Sequence, residues 1–288
     1  MASKGVLYIV GTPIGNLEDM TLRGIRILKE VDGIAAEDTR RTQNLLSHFS
    51  IQTPVTSYHE HNAKEKGGEL LKKLREGMSI ALVTDAGMPT LSDPGFELVQ
   101  EALIDSIPVT VIPGGSALTA ALAVSGMPME RFVFEGFLPS RSSERRRRLH
   151  ELKDEKRALI FFEAPHRIQA FLSDCLEILG DRSMVLCREL TKQFEEVLRG
   201  RTREVAENLA KSPRKGEITV LMEGAIEEGK EPTLLEVHQA LEKERARGSS
   251  LKEAVRNVSH QLRMSRRKIY QQALDLGVFT SISNGERG

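Results

Sequence analysis

Apolar positions in the first 125 residues follow two alternating periods. Short runs rich in β-branched residues, Val6 to Val10, Ile34 to Ala36, Val55 to Ser57, Ser79 to Thr84 and Val109 to Ile112, read as strands. Between and after them, apolar residues recur at helical spacing near residues 21–30, 40–49, 63–75, 96–105 and 116–124. Strands separated by helices of this length predict parallel βαβ units. In such sheets ligands sit beyond the carboxyl ends of the strands, so the loops after strands are where a site belongs.

The pattern changes at Ser125-Gly126-Met127-Pro128, which breaks the helix. Beyond it Phe132 to Phe134, Ala158 to Phe162, Ser183 to Arg188, Glu195 to Leu198 and Glu217 to Met222 read as strands, with helices near 142–152, 167–179 and 202–210. This predicts a second α/β unit with a mixed sheet. Residues 224–232, GAIEEGKEP, have the composition of a linker, and helical spacing alone follows, at about 233–246, 251–262 and 265–276. The expected division is 1–126, an N-terminal α/β domain with a parallel sheet; 127–224, a second α/β domain; and 225–288, linker and helical C-terminal module.

With 40% hydrophobic and 28% charged residues, the 288-residue chain has the balance of a soluble globular protein. No apolar run approaches the ~18–20 residues that span a bilayer, and the first apolar stretch ends at Gly11 and Pro13, so a cytoplasmic protein without a membrane role is expected. Two cysteines, Cys175 and Cys187, build neither a disulfide scaffold nor a cysteine zinc cluster, and Cys175 shares a helical stripe with Ile168, Phe171, Leu172 and Leu179. His59 and His61 lack the i, i+4 spacing that binds metal from a helix, so no metal site is predicted.

Net charge is zero, but its distribution is uneven: −5 over residues 1–138, +4 over 139–160, −2 over 161–230 and +3 over 231–288. Arg141 with Arg145, Arg146, Arg147 and Arg148 forms one cationic arm. Arg266, Arg267 and Lys268 open the last predicted helix after a capping Ser265, where three cations oppose the helix dipole. Both clusters are candidates for phosphate contacts, set against solvated helix faces in the first case and a packing or dimerisation appendage in the second.

Four strand-end loops of the first half carry more than a turn requires. GTPIGNLEDMT, from Gly11, is rigid and lets backbone approach a ligand, though it is neither a Walker loop nor a dinucleotide fingerprint. DAGMPTLSDPG, from Asp85 to Gly95, suits a polar, cation-bearing small molecule; a capping role for Asp93 ahead of the helix near Pro94 explains part of it. PGGSAL, from Pro113, leaves room for a flat group at a helix end, or serves tight packing. In EDTRRTQNLL, Glu37, Asp38, Thr39 and Arg40 crowd the end of the second strand, as EAPHR and RELTK do after strands of the second half.

Taken in order, GTPIGNLEDMTLR, AEDTRRT, DAGMPTLSDPG, PGGSAL, EGFLPSR and RELTK closely resemble the ribosomal RNA small subunit methyltransferase I family, of tetrapyrrole-methylase fold, from about Gly5 to Leu276. The chain departs from the family's pattern at Met88, Gly115 and Ala164, where threonine, proline and serine are usual. The resemblance implies two α/β domains with a cofactor cleft between them, usually in a homodimer. It implies transfer of a methyl group from S-adenosylmethionine to the 2′-hydroxyl of a cytidine in the decoding region of 16S ribosomal RNA, free or in the assembled 30S subunit. Carried over by position, the cofactor would meet Thr12, Pro13, Ile14, Gly15, Asp85, Ala86, Gly87, Ser116 and Ala117, with Leu138, Pro139 and Ala164 on the far side.

In-line methyl transfer rests mainly on alignment. A ribose hydroxyl still needs a group to take or polarise its proton, and Asp38, Glu189 and Lys192 are the candidates, with Arg40 orienting phosphate or hydroxyl. Aromatic residues are 5% and tryptophan is absent, so RNA contacts are expected from charge more than stacking. The alternatives are a tetrapyrrole carbon methyltransferase and a non-catalytic RNA- or ribosome-binding protein on the same fold.

Overall fold

A computed structural model describes residues 5–128, 130–211, 216–225, 232–262 and 264–279. The first sheet holds β1 (Leu7–Val10), β2 (Gly33–Ala36), β3 (Val55–Ser57), β4 (Ile80–Val83) and β5 (Val109–Ile112) in the order β3-β2-β4-β1-β5, all parallel. Helices α1 (Leu22–Glu30) and α2 (Thr39–His48) cover one face through Leu28 and Leu46. On the other face lie α3 (Ala63–Arg75) and α4 (Phe96–Ile104), through Leu70, Leu74 and Leu98. Burial from both sides explains why LYIV, GIAA and IALV read as continuous apolar runs.

The second sheet runs β6-β7-β10-β8-β9, from β6 (Phe132–Phe137), β7 (Ala158–Glu163), β8 (Ser183–Arg188), β9 (Glu196–Arg201) and β10 (Ile218–Met222). Among the described residues only β6 and β7 pair in parallel there, so the sheet is mixed. Strand alternation divides its residues: Leu159, Phe161 and Val220 face helices α6 (Ser142–Glu151), α7 (Ile168–Ile178) and α8 (Thr202–Lys211), while Ile160, Val185 and Leu221 face the first half of the chain. Cys175 lies in the former core, fully buried, with its thiol pushed up by desolvation.

Helix α5 (Ala117–Ser125), sequence ALTAALAVS, joins the two halves. Its Leu118 and Ala121 pack with Ile14 against Ile160, Val185 and Leu221. A helix apolar on nearly every side suits this sandwiched place. Both sheets belong to one compact unit that ends at Ala225.

Two strands run past their predicted ends. β6 continues to Phe137 through an irregularity between Phe134 and Gly136, where Gly136 takes φ 62° and breaks the alternation. β9 reaches Arg201 because an edge strand tolerates the charged residues that mask its period.

A second unit begins at Ile226. Helices α9 (Leu234–Ala246), α10 (Leu251–Gln261) and α11 (Arg266–Asp275) close on Val237, Leu241, Val255, Val258, Ile269 and Ala273. Capping boxes start α9 at Thr233 with Glu236 and α10 at Ser250 with Glu253, and Ser265 caps α11. Of the predicted linker at 224–232, residues 226–231 lie outside the described residues.

Candidate active site

Three strand-end loops of the first sheet are fused into a ledge. Thr12 N–H donates to the Gly87 carbonyl at 2.9 Å and Gly87 N–H returns a bond to Thr12 at 3.2 Å. The Thr12 hydroxyl donates to the Thr84 carbonyl at 3.1 Å. The loop after β5 presses in as well: a Cβ on Gly114 would stand 2.6 Å from the Gly11 carbonyl, so only glycine permits the approach.

Facing the ledge are groups at one set of strand ends of the second sheet: Phe137 and Glu163 ending β6 and β7, Ala164 and Pro165 after β7, Glu189 and Lys192 after β8, and Gly216 and Glu217 before β10. Between them is a cavity of about 420 Å³. The ledge contributes Ile14, Asp85 to Met88, Leu91 to Asp93, Ser116 and Ala117, and the segment after β2 adds Glu37 and Arg41.

Among the described residues six carboxyl groups line the cavity, Glu37, Asp85, Asp93, Glu163, Glu189 and Glu217, against two cations, Arg41 and Lys192. Four of the six are held by a cation. Arg41 meets Asp85 at 3.1 Å, Arg167 meets the buried Glu163 at 2.6 Å, and Lys192 Nζ bridges Glu189 at 2.9 Å and Glu217 at 3.0 Å. Burial is the largest single influence and opposes charge on both Glu189 and Lys192, but their mutual hydrogen bond, the bonds to Glu217 and the neighbouring opposite charges together outweigh it, lowering the carboxyl's pKa and raising the ammonium's. Lys192 is therefore a fixed cation and not a proton acceptor.

Asp85 moves the other way. Burial and the nearby Glu37 charge raise its pKa, against the Asp38 N–H and Arg41. Asp93, half-buried in the cavity wall, is pushed up to about 7, by burial first and then by Glu37, Asp85 and Glu217. Its loop carries positive φ at Thr90, Ser92 and Gly95 (72°, 63° and 130°), and Glu189 and Thr191 opposite do the same at 51° and 66°. Non-glycine residues in this region cost about 1–3 kcal/mol each and persist where the surroundings over-determine them.

A family model described as Tetrapyrrole (Corrin/Porphyrin) Methylases matches residues 6–206. Among curated proteins, the chain is 48% identical over 271 residues to a Ribosomal RNA small subunit methyltransferase I of Halalkalibacterium halodurans, covering 93% of this chain and 94% of that one. It is 51% identical over 220 residues to the protein of that name from Thermotoga maritima, 76% of this chain and 99% of that one. The chain belongs to the ribosomal RNA small subunit methyltransferase I family.

Solved structures agree on the fold. A cobalt precorrin-4 methyltransferase matches with TM-score 0.58 at 18% identity, over 76% of this chain and 94% of that one. A Thermus thermophilus uroporphyrin-III C-methyltransferase complexed with S-adenyl homocysteine matches with TM-score 0.54 at 22% identity, over 75% and 97%.

In this member of the methyltransferase I family, the cleft gathers Ile14, Asp85, Ala86, Gly87, Ser116, Ala117, Ala164, Glu189 and Lys192 from among the expected residues. Others stand elsewhere. Thr12, 2% exposed, spends its hydroxyl and backbone tying loops together; Pro13 is buried, and Gly15 packs against Lys192 and Thr191 outside the wall. Leu138 belongs to the second core, and Pro139 is exposed away from the cavity.

Two catalytic expectations are corrected by one residue each. Asp38 is the N-cap of α2, its carboxylate accepting from Arg40 N at 2.8 Å and Arg41 N at 3.4 Å, and Arg40 points to solvent. Glu37 and Arg41 line the cleft instead. Asp38 directly before a helix is a strong N-cap signal, and the residue before that cap, Glu37, and Arg41 in the first turn are the ones at the cavity. Conversely Asp93 caps nothing: Gly95 is the N-cap of α4, without a side-chain bond.

The arginine arm is also corrected. Arg145, with a side chain 5% exposed, is paired with Asp174 at 2.7 Å and is not available to phosphate. Arg146 bonds Asp174 and Glu177, and Arg148 bonds Glu135 and Glu151. The partners come mainly from α7 and β6, neighbours that counting charges within one helix turn does not see. Arg147 and Arg141 face solvent, as do Arg266, Arg267 and Lys268 on α11. Phe137, 55% exposed at the cleft and packed on Phe162 at 5.6 Å, adds an aromatic surface that composition did not suggest.

Proposed function

We propose that the protein transfers a methyl group from S-adenosylmethionine to the ribose 2′-hydroxyl of a cytidine in the decoding region of small-subunit ribosomal RNA. The observation that carries this reading is an acid-rich cleft between two sheets in a chain so similar, over nearly its whole length, to proteins of the methyltransferase I family. The cleft fits such a donor. Its volume lies within the roughly 300–1,000 Å³ of small-molecule sites, and its carboxylate excess suits a sulfonium and an ammonium group. Among the described residues the buried Oε2 of Glu163 has no hydrogen-bond partner, which leaves an acceptor at the wall.

Ile14, Asp85, Ala86, Gly87, Ser116, Ala117 and Ala164 would hold the donor. Bound there, it supplies a methyl carbon on a positively charged sulfur, a good leaving group. The chain's task is to exclude water, align the hydroxyl and receive its proton. Lys192, kept charged by Glu189 and Glu217, steadies developing negative charge on the oxygen.

Arg141, Arg147, Arg266, Arg267 and Lys268 supply phosphate contacts, and Phe137 offers a face for a base. The substrate is small-subunit ribosomal RNA in the cytoplasm, free or within the assembled 30S subunit. The protein acts as a homodimer, burying exposed apolar residues such as Phe96, Leu103 and Ile104 of α4 and Val111 of the edge strand β5.

The test is incubation with labelled S-adenosylmethionine and, in parallel, small subunits lacking this methyl group and uroporphyrinogen. Label in the subunit RNA alone is expected. Label in the tetrapyrrole alone, or in neither, contradicts the reading.

A further inference from the structure

The ion pair of Lys192 and Glu189 is packed against two glycines, one from each half of the two-sheet unit. Gly15, in the loop after β1, meets the lysine stem: a Cβ there would stand 2.3 Å from Lys192 Cγ, 2.9 Å from Thr191 Oγ1 and 3.0 Å from the Leu190 carbonyl oxygen. Gly216, ahead of β10, takes φ 100°, and a Cβ there would stand 2.3 Å from both Cδ and Oε1 of Glu189. Carbon atoms in contact rest roughly 3.5–4.0 Å apart, so the pair fills space that any larger residue would claim. Gly15 itself stands outside the cavity wall, next to Ile14, which lines it.

The loop after β8 fixes the ammonium further. Glu189 N–H donates to the Glu217 carbonyl at 3.0 Å, Glu217 N–H to Glu189 Oε1 at 3.1 Å, and Lys192 N–H to the Glu189 carbonyl at 3.0 Å. Thr191 N–H is tied to the Glu195 carboxylate at 2.7 Å. An ammonium has three N–H donors. Two go to Glu189 Oε1 at 2.9 Å and Glu217 Oε2 at 3.0 Å, and among the described residues the third meets no acceptor. Because Lys192 lines the cavity, that third donor is free for an oxygen bound there.

Building on the methyl-transfer reading above, we propose that Gly15 is a positioning residue for the acceptor. It acts through Lys192, whose third N–H donates to the substrate hydroxyl oxygen, and not through contact with the methyl donor. Lys192 gives a hydrogen bond and transfers no proton, so none of its own bonds is made or broken. Relaxing the 2.3 Å approach to a carbon contact of roughly 3.5 Å moves the stem by about 1 Å, and a misplacement of that size costs about 10²-fold in an aligned reaction.

The experiment is single-turnover methylation of unmethylated small subunits at saturating S-adenosylmethionine, with donor-site binding followed separately by titration with S-adenosylhomocysteine. Gly15→Ala should lose about 10²-fold in rate and Lys192→Ala about 10²–10³-fold, each binding S-adenosylhomocysteine as the wild type does. The subunit concentration giving half the maximal rate should stay unchanged in Gly15→Ala. Once the stem is gone, the added Cβ has no lysine to displace, so Gly15→Ala with Lys192→Ala should react at the rate of Lys192→Ala alone. Losses that multiply in the combined variant overturn the proposal, because Gly15 then acts by another route. A wild-type rate in either single variant overturns it too. So does Gly15→Ala binding S-adenosylhomocysteine at least about tenfold more weakly, which would put Gly15 in the donor's site. If Gly15→Ala does not fold, Lys192→Ala should restore folding, and failure to do so counts against the proposal. Wild-type protein that labels no subunit RNA would instead sink the methyl-transfer reading.

Discussion

Removing the charge of Asp174 leaves the buried Arg145 without its anion and beside a second guanidinium, that of Arg146. Asp174→Asn should therefore cost about 3–5 kcal/mol, read as a lower urea midpoint, whereas Arg147→Ala, at an exposed position, should stay within about 0.5 kcal/mol. Asp93 makes a second prediction with its sign set by linkage. Its pKa is raised in the folded protein, so the native state binds the proton more tightly than the unfolded chain, and stability falls as pH rises from about 4 through about 7. Asp93→Asn should melt higher than wild type at pH ~8 and lose most of that advantage by pH ~4, close to the unfolded-state value of an aspartate; equal melting curves at both would contradict the burial argument. Individual residues were the hardest scale to read in advance. Asp38 and Asp93 look alike in sequence, each an aspartate near a helix start, but the backbone turn after each decides that one caps and the other faces the cleft. Charge runs misled for a related reason: the acids that bury Arg145 and tether Arg148 lie 29 and 13 residues away in the chain.

Elements were far more readable, because strands buried on both faces and helices with one apolar stripe leave strong periods. β1, β2, β4 and β10 appear close to where the pattern puts them. Where it fell short, the causes were the bulge in β6 and the charged edge strand β9, both of which interrupt a two-residue period without interrupting hydrogen bonding. The loops drew attention through their glycines and prolines, and packing supplies the reason in one case. Gly114→Ala must force the loops after β1 and β5 apart, so it should weaken S-adenosylhomocysteine binding at least tenfold by titration while the far-ultraviolet spectrum stays that of the wild type. Unchanged affinity would mean that the ledge is not part of the donor's site.

The whole molecule consists of two compact units. Alternating strands and helices foretold a parallel sheet and then a mixed one, yet the strand order and the place of α5 between the sheets depend on long-range packing that no local period encodes. That packing brings the acid-rich edges together. The Thermotoga relative is matched over 99% of its own length by 220 residues, and in the reading proposed above the donor site belongs to the two-sheet unit while the helical tail adds contacts to the RNA. Replacing Arg266, Arg267 and Lys268 by alanine should weaken small-subunit binding and lower its salt dependence by roughly 0.7–0.9 in log–log slope for each phosphate no longer neutralised, with S-adenosylhomocysteine affinity untouched. An unaltered slope would return the tail to a packing role. The central claim concerns the atom that receives the methyl group, and alkaline digestion of RNA labelled by the purified protein addresses it directly. The account predicts label in an alkali-resistant dinucleotide carrying a ribose-methylated cytidine; label on a base carbon or nitrogen, or none in the RNA, would contradict it.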